Sequence, residues 1–143
     1  MNKIDKVGPL IKVCHQEIKK NIDHRLSVFD LTSTQLHTLI MILRNFKEDN
    51  KINQRDIEQY LEISNPTVTG ILNRLESKKL VYRQQCMEDA RVKYILPTKK
   101  AIELDKEIVA VFQDTDSYVL KGFETQETEN LINYLNRIID NLK

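Results

Sequence analysis

From about Lys3 to Leu26 the apolar residues Ile4, Val7, Ile11, Ile18, Ile22 and Leu26 return at three- and four-residue steps, the spacing of one helix face. A long amphipathic helix is expected there, with Pro9 either delaying its start or bending it. The pattern breaks at Phe29-Asp30-Leu31. Thr32-Ser33-Thr34-Gln35 then has the form of a capping box, in which hydroxyl and amide each satisfy an orphan backbone N–H. Leu36, Leu39, Ile40 and Leu43 share the next apolar face and predict a helix to about Phe46. The charged run 47–51 reads as a loop. Asn53 is placed to cap a short helix carrying Ile57, Tyr60 and Leu61 on one side. After a tight turn at Glu62-Ile63, Ser64 is expected to cap the next helix. Pro66 stands in its first turn, where a missing N–H costs little. Val68, Ile71, Leu72 and Leu75 form the buried stripe of this helix, which should end near Lys78 or Lys79.

Past that point the period changes. Residues 80–85 and 92–96 are short β-prone runs separated by a polar stretch with Glu88, Asp89 and Arg91, which predicts a hairpin. Pro97 stops its second strand. Thr98 is then expected to cap a long helix with Ala101, Leu104, Ile108, Val111 and Phe112 as apolar positions. Thr125 is expected to cap a last one with Leu131, Tyr134, Leu135, Ile138 and Leu142. The fold class is therefore mainly α with a small β-hairpin, and the order of elements is that of a winged helix-turn-helix. The long helices at either end are more apolar than so small a module needs.

Composition narrows the function classes. The chain has 143 residues, 41% hydrophobic and 30% charged, as in a globular domain with a solvated surface. It holds no apolar run of bilayer-crossing or signal-peptide length, so a cytoplasmic protein without membrane partners is expected. Two cysteines, Cys14 and Cys86, make no disulfide framework and lack zinc-site spacing. Three glycines are too few for a phosphate-cradling loop. The net charge of +1 is uninformative, but its distribution is not. Residues 51–100 hold ten Lys/Arg and six Asp/Glu (net +4), whereas residues 101–143 hold four and nine (net −5). A basic centre beside an acidic end suits a nucleic-acid face next to a partner face, though chance asymmetry gives the same sums.

The candidate chemistry lies in the helix starting at Ser64. With its apolar stripe inward, the other side must show Asn65, Thr67, Thr69, Gly70, Asn73 and Arg74. Short hydroxyl and amide groups with one Arg, crowded near a helix N-terminus, are what base edges and phosphates in a major groove require. The competing reading is a solvated polar face, which usually holds more Lys and Glu. The hairpin adds a second signal. Arg91 sits near its tip beside Asp89, with Lys93 close by and Arg83 on the opposite strand. An Arg at that tip suits the negative potential of a narrow minor groove. Asp89 repels phosphate and is better read as a brace for Arg91 through a bidentate pair; an ordinary surface ion pair is the plainer alternative.

From Leu31 to about Ala101 the sequence resembles the MarR/SlyA family of bacterial and archaeal regulators. Leu31-Thr32 with Gln35 resembles the family's "LT..Q" start of the second helix. SNPTVTGILNRLESKKLVYR, residues 64–83, resembles its recognition helix and first wing strand. Asp89-Ala90-Arg91, followed by Val92-Lys93 and Pro97-Thr98-Lys99, resembles its wing signature. The resemblance implies a homodimer in which residues 1–30 and 99–143 form the helical dimerisation region and residues 31–98 the DNA-binding domain. It implies a pseudo-palindromic duplex operator and a repressor released by a small phenolic or carboxylic effector. The residues expected to contact DNA are Ser64, Asn65, Pro66, Thr67, Thr69, Asn73 and Arg74, with Arg91 in the minor groove and Arg55, Arg83 and Lys93 on the backbone. The chain departs from the family pattern at Glu58, which replaces a small residue, and at Glu62 and Lys79, which replace glycines. Lys79 must then adopt a backbone conformation that glycine takes more easily.

Other chemistry is thinly supported. Some relatives carry a redox cysteine in the first helix, so Cys14 offers a redox-responsive alternative, although an incidental thiol is the commoner case. Cys86 is expected to lie exposed in the wing. His15 next to Cys14 makes a poor metal pair, because adjacent helix positions point to different sides. No nucleophile–base or carboxylate pair has local support, so neither catalysis nor a cofactor is expected. A winged-helix module used only for protein interaction is the alternative from a different class.

Overall fold

A computed structural model describes residues 3–143; the first two residues of the expected 1–30 span lie outside it. The helices are α1 (Val7–Leu26), α2 (Ser33–Lys47), α3 (Gln54–Leu61), α4 (Asn65–Ser77), α5 (Lys99–Val119) and α6 (Thr125–Leu142). The strands are β1 (Ile52–Asn53), β2 (Val81–Gln85) and β3 (Lys93–Pro97).

Local signals explain most boundaries. Helix α1 begins at Val7, not near Lys3: Pro9 fits a first turn, and Lys6 precedes it in an extended conformation. Thr32 and Gln35 form the expected capping box, with Thr32 Oγ1 accepting from the Gln35 N–H at 3.2 Å and Gln35 Oε1 from the Thr32 N–H at 3.1 Å. Asn53 and Asp56 repeat the device on α3 at 3.0 and 2.9 Å. Thr98 accepts from the Ala101 N–H at 3.2 Å and starts α5. Thr125 does not cap α6. Glu124 holds the cap position, its N–H donating to Glu127 Oε1 at 3.0 Å.

The hairpin acquires a third strand that periodicity did not reveal. The sheet order is β1-β3-β2, all antiparallel, with Ile52 opposite Ile95 and Val81 opposite Pro97. Two residues are too short a run to show alternation. Burial of Ile52 is what fastens β1 to the sheet.

One core joins the elements. Leu39, Ile42 and Leu43 of α2 meet Ile57, Val68, Leu72, Leu75, Ile95 and Ile108, and Leu26 and Ala101 close the cluster. Tyr60 departs from its expected side: Ile57 is fully buried and Leu61 half-buried, but Tyr60 faces solvent at 67% exposure. Away from this core, α6 buries none of its residues, and Val7, Leu10, Ile11 and Val13 lie open on α1. Among the described residues no single helix is long and apolar enough to cross a membrane.

Candidate nucleic-acid interface

The turn from α3 to α4 places the presumptive reading helix. Glu62 takes left-handed backbone angles (φ 54°) and stops α3, and the chain re-enters helix after Ser64. Ser64 has the extended N-cap conformation, but its hydroxyl does not cap: it lies 2.9 Å from Thr67 Oγ1. The first-turn N–H groups of α4 therefore stay without a side-chain cap, and such an end attracts anions.

Ser64, Asn65, Pro66, Thr67, Gly70, Asn73 and Arg74 are exposed as expected, opposite buried Val68, Ile71, Leu72 and Leu75. Thr69 corrects the expectation in part. It is half-buried, and its hydroxyl accepts from Gln54 Nε2 at 2.8 Å. Gln54 also reaches the Asn65 carbonyl at 3.4 Å, and Asn65 Nδ2 donates to Glu58 Oε2 at 3.2 Å. Two side chains one turn apart on α3 thus hold two side chains one turn apart on α4. Neither Gln54 nor Glu58 was singled out from sequence as a contributor, because their partners lie across a turn.

The wing packs beside this helix. Arg83 donates to Glu76 Oε2 at 3.0 Å and to Asn73 Oδ1 at 3.3 Å, so it lies against α4. Arg91 is almost fully exposed at the wing tip. Its Nε and its backbone N–H both donate to Asp89 Oδ1, at 3.2 and 3.0 Å. The expected brace is present, but through one carboxylate oxygen and not a bidentate pair. A two-residue spacing lets Asp89 fold back on the backbone as well as the side chain. Gln85 Nε2 closes the turn on the Ala90 carbonyl at 3.0 Å. Between the wing and α3, reaching the first residue of α4, lies an open cleft of about 490 Å³, lined by Arg55, Glu58, Asn65, Arg83, Arg91 and Lys93 among others. Four cations and one carboxylate line it, with Arg83 and Arg91 also paired to Glu76 and Asp89 at its edges.

The far end of α4 is tied to other elements. Lys78 Nζ donates to the carboxylate of Asp30 at 2.9 Å and to the Asp30 carbonyl. The hydrogen bond and charge of Lys78 hold the Asp30 carboxyl below its ordinary range, and Arg74 adds to this. Lys79 takes φ 59°, as the missing glycine demanded. Thr98 Oγ1 donates to the Lys79 carbonyl at 2.7 Å, and Lys100 Nζ donates to the Lys78 carbonyl at 3.1 Å. A second hollow of about 490 Å³ opens here, lined by Val28, Phe29, Lys78, Leu80, Lys100 and Leu104 among others.

Cys14 is exposed on α1. Cys86 is half-buried and not exposed as expected, because the wing strands bring it 3.6 Å from the Tyr94 hydroxyl. Hydrogen bonding by Tyr94, then by the Asp89 and Glu88 backbone, pulls the Cys86 thiol down, and the Tyr94 phenol is pushed up in return.

A helix-turn-helix with an adjoining three-stranded wing and a basic cleft between them defines a winged-helix DNA-binding protein. The MarR family model matches residues 31–93. The whole chain is similar to MepR, described as a transcription regulator of the Staphylococcus aureus multidrug efflux pump MepA. The two are 28% identical, with 96% of this chain and 99% of that chain covered and a TM-score of 0.87. For the S. aureus MepR–DNA complex, identity and coverage are the same and the TM-score is 0.73. For MepR bound to ethidium bromide it is 0.70, at 28% identity and 96% and 97% coverage. The chain is thus similar, over residues 31–93 in sequence and over nearly its whole length in fold, to the winged-helix transcription regulators of the MarR family.

Proposed function

We propose that the chain is a homodimeric repressor that holds a pseudo-palindromic duplex operator and lets go when a small molecule binds. The observation that carries this reading is the basic cleft between the wing and α3, which opens onto the first residue of α4. Beside it α4 enters the major groove, with Ser64, Asn65, Thr67, Asn73 and Arg74 toward bases and phosphates. Thr69 and Pro66 shape the first turns. Arg91 reaches the minor groove, and Arg55, Arg83 and Lys93 contact the backbone.

Residues 1–30 and 99–143 form the dimerisation region and residues 31–98 the DNA-binding domain. The open apolar faces of α1 and α6 support this division, since such stripes need a partner. Effector release draws support from the hollow between Phe29, Lys78 and Lys100 and from the neighbour solved with ethidium bromide. Phenolic or carboxylic compounds are the class the family resemblance implies; because Asp30 and Glu107 line the hollow beside Lys78 and Lys100, a planar cation such as the neighbour's ligand is the other class to titrate. A cytoplasmic location follows from the same role.

The test is binding of the full chain to labelled duplexes across a salt series. Retention that falls steeply with salt, with a selected inverted repeat bound far above random duplex, is the expected result. Binding to neither leaves the protein-interaction reading in its place.

A further inference from the structure

We infer that Glu58 is a positioning residue that sets the base preference of Asn65, making it a reader of adenine. This rests on the DNA-binding reading above. Asn65 stands exposed at the first position of α4, where a helix in the major groove meets base edges. An amide presents two different atoms, and which one faces the DNA decides what it reads. Here that choice is made inside the protein. Asn65 Nδ2 donates to Glu58 Oε2 at 3.2 Å. An ionised carboxylate only accepts, so turning the amide over would set Oδ1 against Oε2, two acceptors with no proton between them. Gln54 fixes the backbone at the same point by donating to the Asn65 carbonyl at 3.4 Å, while it also holds Thr69.

The orientation has a chemical consequence. One of the two hydrogens on Nδ2 is spent on Glu58. The other, together with Oδ1, remains as a donor–acceptor pair. Adenine offers the complement in the major groove, N6 donating and N7 accepting; cytosine N4 matches only the acceptor, whereas guanine and thymine present acceptors toward Oδ1. Glu58 also explains why a carboxylate is tolerated in a cleft with Arg55, Arg83, Arg91 and Lys93. Its charge opposes phosphate binding, but it is engaged by the residue it directs.

The experiment is selection from a randomised duplex pool with the wild-type chain, Asn65→Ala, Glu58→Gln and Glu58→Ala, followed by titration of the four bases at one position. That position is the one whose preference disappears in Asn65→Ala. Wild type should favour adenine there over guanine or thymine by at least about fivefold. In Glu58→Gln the new amide donates as readily as it accepts, so Asn65 can turn. Guanine and thymine should then be admitted and the ratio should fall toward one, with preferences elsewhere kept. Glu58→Ala should do the same, and the isosteric Glu58→Gln still decides if Glu58→Ala melts below the assay temperature. A wild-type preference for guanine or thymine at that position overturns the inference. So does an unchanged ratio in a folded Glu58→Gln protein. Absence of any duplex binding by wild type overturns the DNA reading itself, a result distinct from both.

Discussion

Single side chains in the wing carry two separable properties, one electrostatic and one acid–base. Arg91 stands almost fully exposed at the wing tip, with one oxygen of Asp89 accepting from both its Nε and its backbone N–H. Arg91→Ala should weaken operator binding severalfold or more at fixed salt while sedimentation shows an unchanged assembly; equal affinity would remove the wing from the interface. Cys86 behaves differently. With the Tyr94 hydroxyl and the Asp89 and Glu88 backbone favouring thiolate, the thiol ionises at lower pH than a free cysteine. In a Cys14→Ser background, the pH midpoint of alkylation should therefore lie below that of a free thiol, and Tyr94→Phe should move it up. The Asp89–Arg91 contact was readable because the two stand two positions apart on one loop. The Glu58–Asn65 bond was not, since its seven-residue span crosses a left-handed turn whose geometry sequence does not state.

Elements are delimited here by backbone exceptions as much as by caps. Lys79 sits at φ 59°, a conformation that costs an L-residue roughly 1–2 kcal/mol. Glycine there would lose about 0.4–1 kcal/mol of that gain through its greater freedom when unfolded. Lys79→Gly should accordingly raise stability by up to about 1.6 kcal/mol in denaturant titrations. Thr98 serves two elements, accepting from the Ala101 N–H and donating to the Lys79 carbonyl. Thr98→Ala should cost about 1–2 kcal/mol, the upper part of the range for a lost helix cap. Helices α2, α3 and α5 were legible because their caps and their apolar period agree at the same positions. At Thr125 a good capping residue was outcompeted by the Glu124–Glu127 pair one step earlier. Strand β1 escaped detection because pairing with β3, not local pattern, creates it.

For the whole molecule, one core takes Leu26 from α1 and Ala101 and Ile108 from α5, while α6 adds no buried residue to it. Nothing on α6 is buried, and Ile132, Leu135 and Ile139 stand open on it. The melting temperature should rise with protein concentration, as mass action requires of an assembly that buries such a face, and Leu135→Asp should abolish that dependence. Acid should loosen the tie between the α1–α2 corner and α4. The Asp30 carboxyl is held below its ordinary 3.8 by Lys78. Its stabilising contribution is therefore complete above about pH 4 and is lost as pH falls through the lower folded value. Asp30→Asn should be less stable than wild type at neutral pH, and the two should converge in acid; a constant difference would deny the ion pair any role. The winged-helix order of elements was legible, because the resemblance covered the wing and the apolar period marked the outer helices. The bonds that join those parts pair residues as much as 48 positions apart and leave no trace in any local window.

The long-range bonds among these fasten the C-terminal end of α4 to Asp30, Thr98 and Lys100, while Ser64 stands at the other end of a 13-residue helix, where the side-chain bonds run to its neighbour α3 and the two helices can move as one. Such a helix is about 20 Å long, so a swing of about 10° about the fastened end carries Ser64 by roughly 3.5 Å. That is about the rise of one step along a DNA strand. A slight tilt of α5 is thus converted, at the opposite tip, into an error of one base pair in where the protein reads.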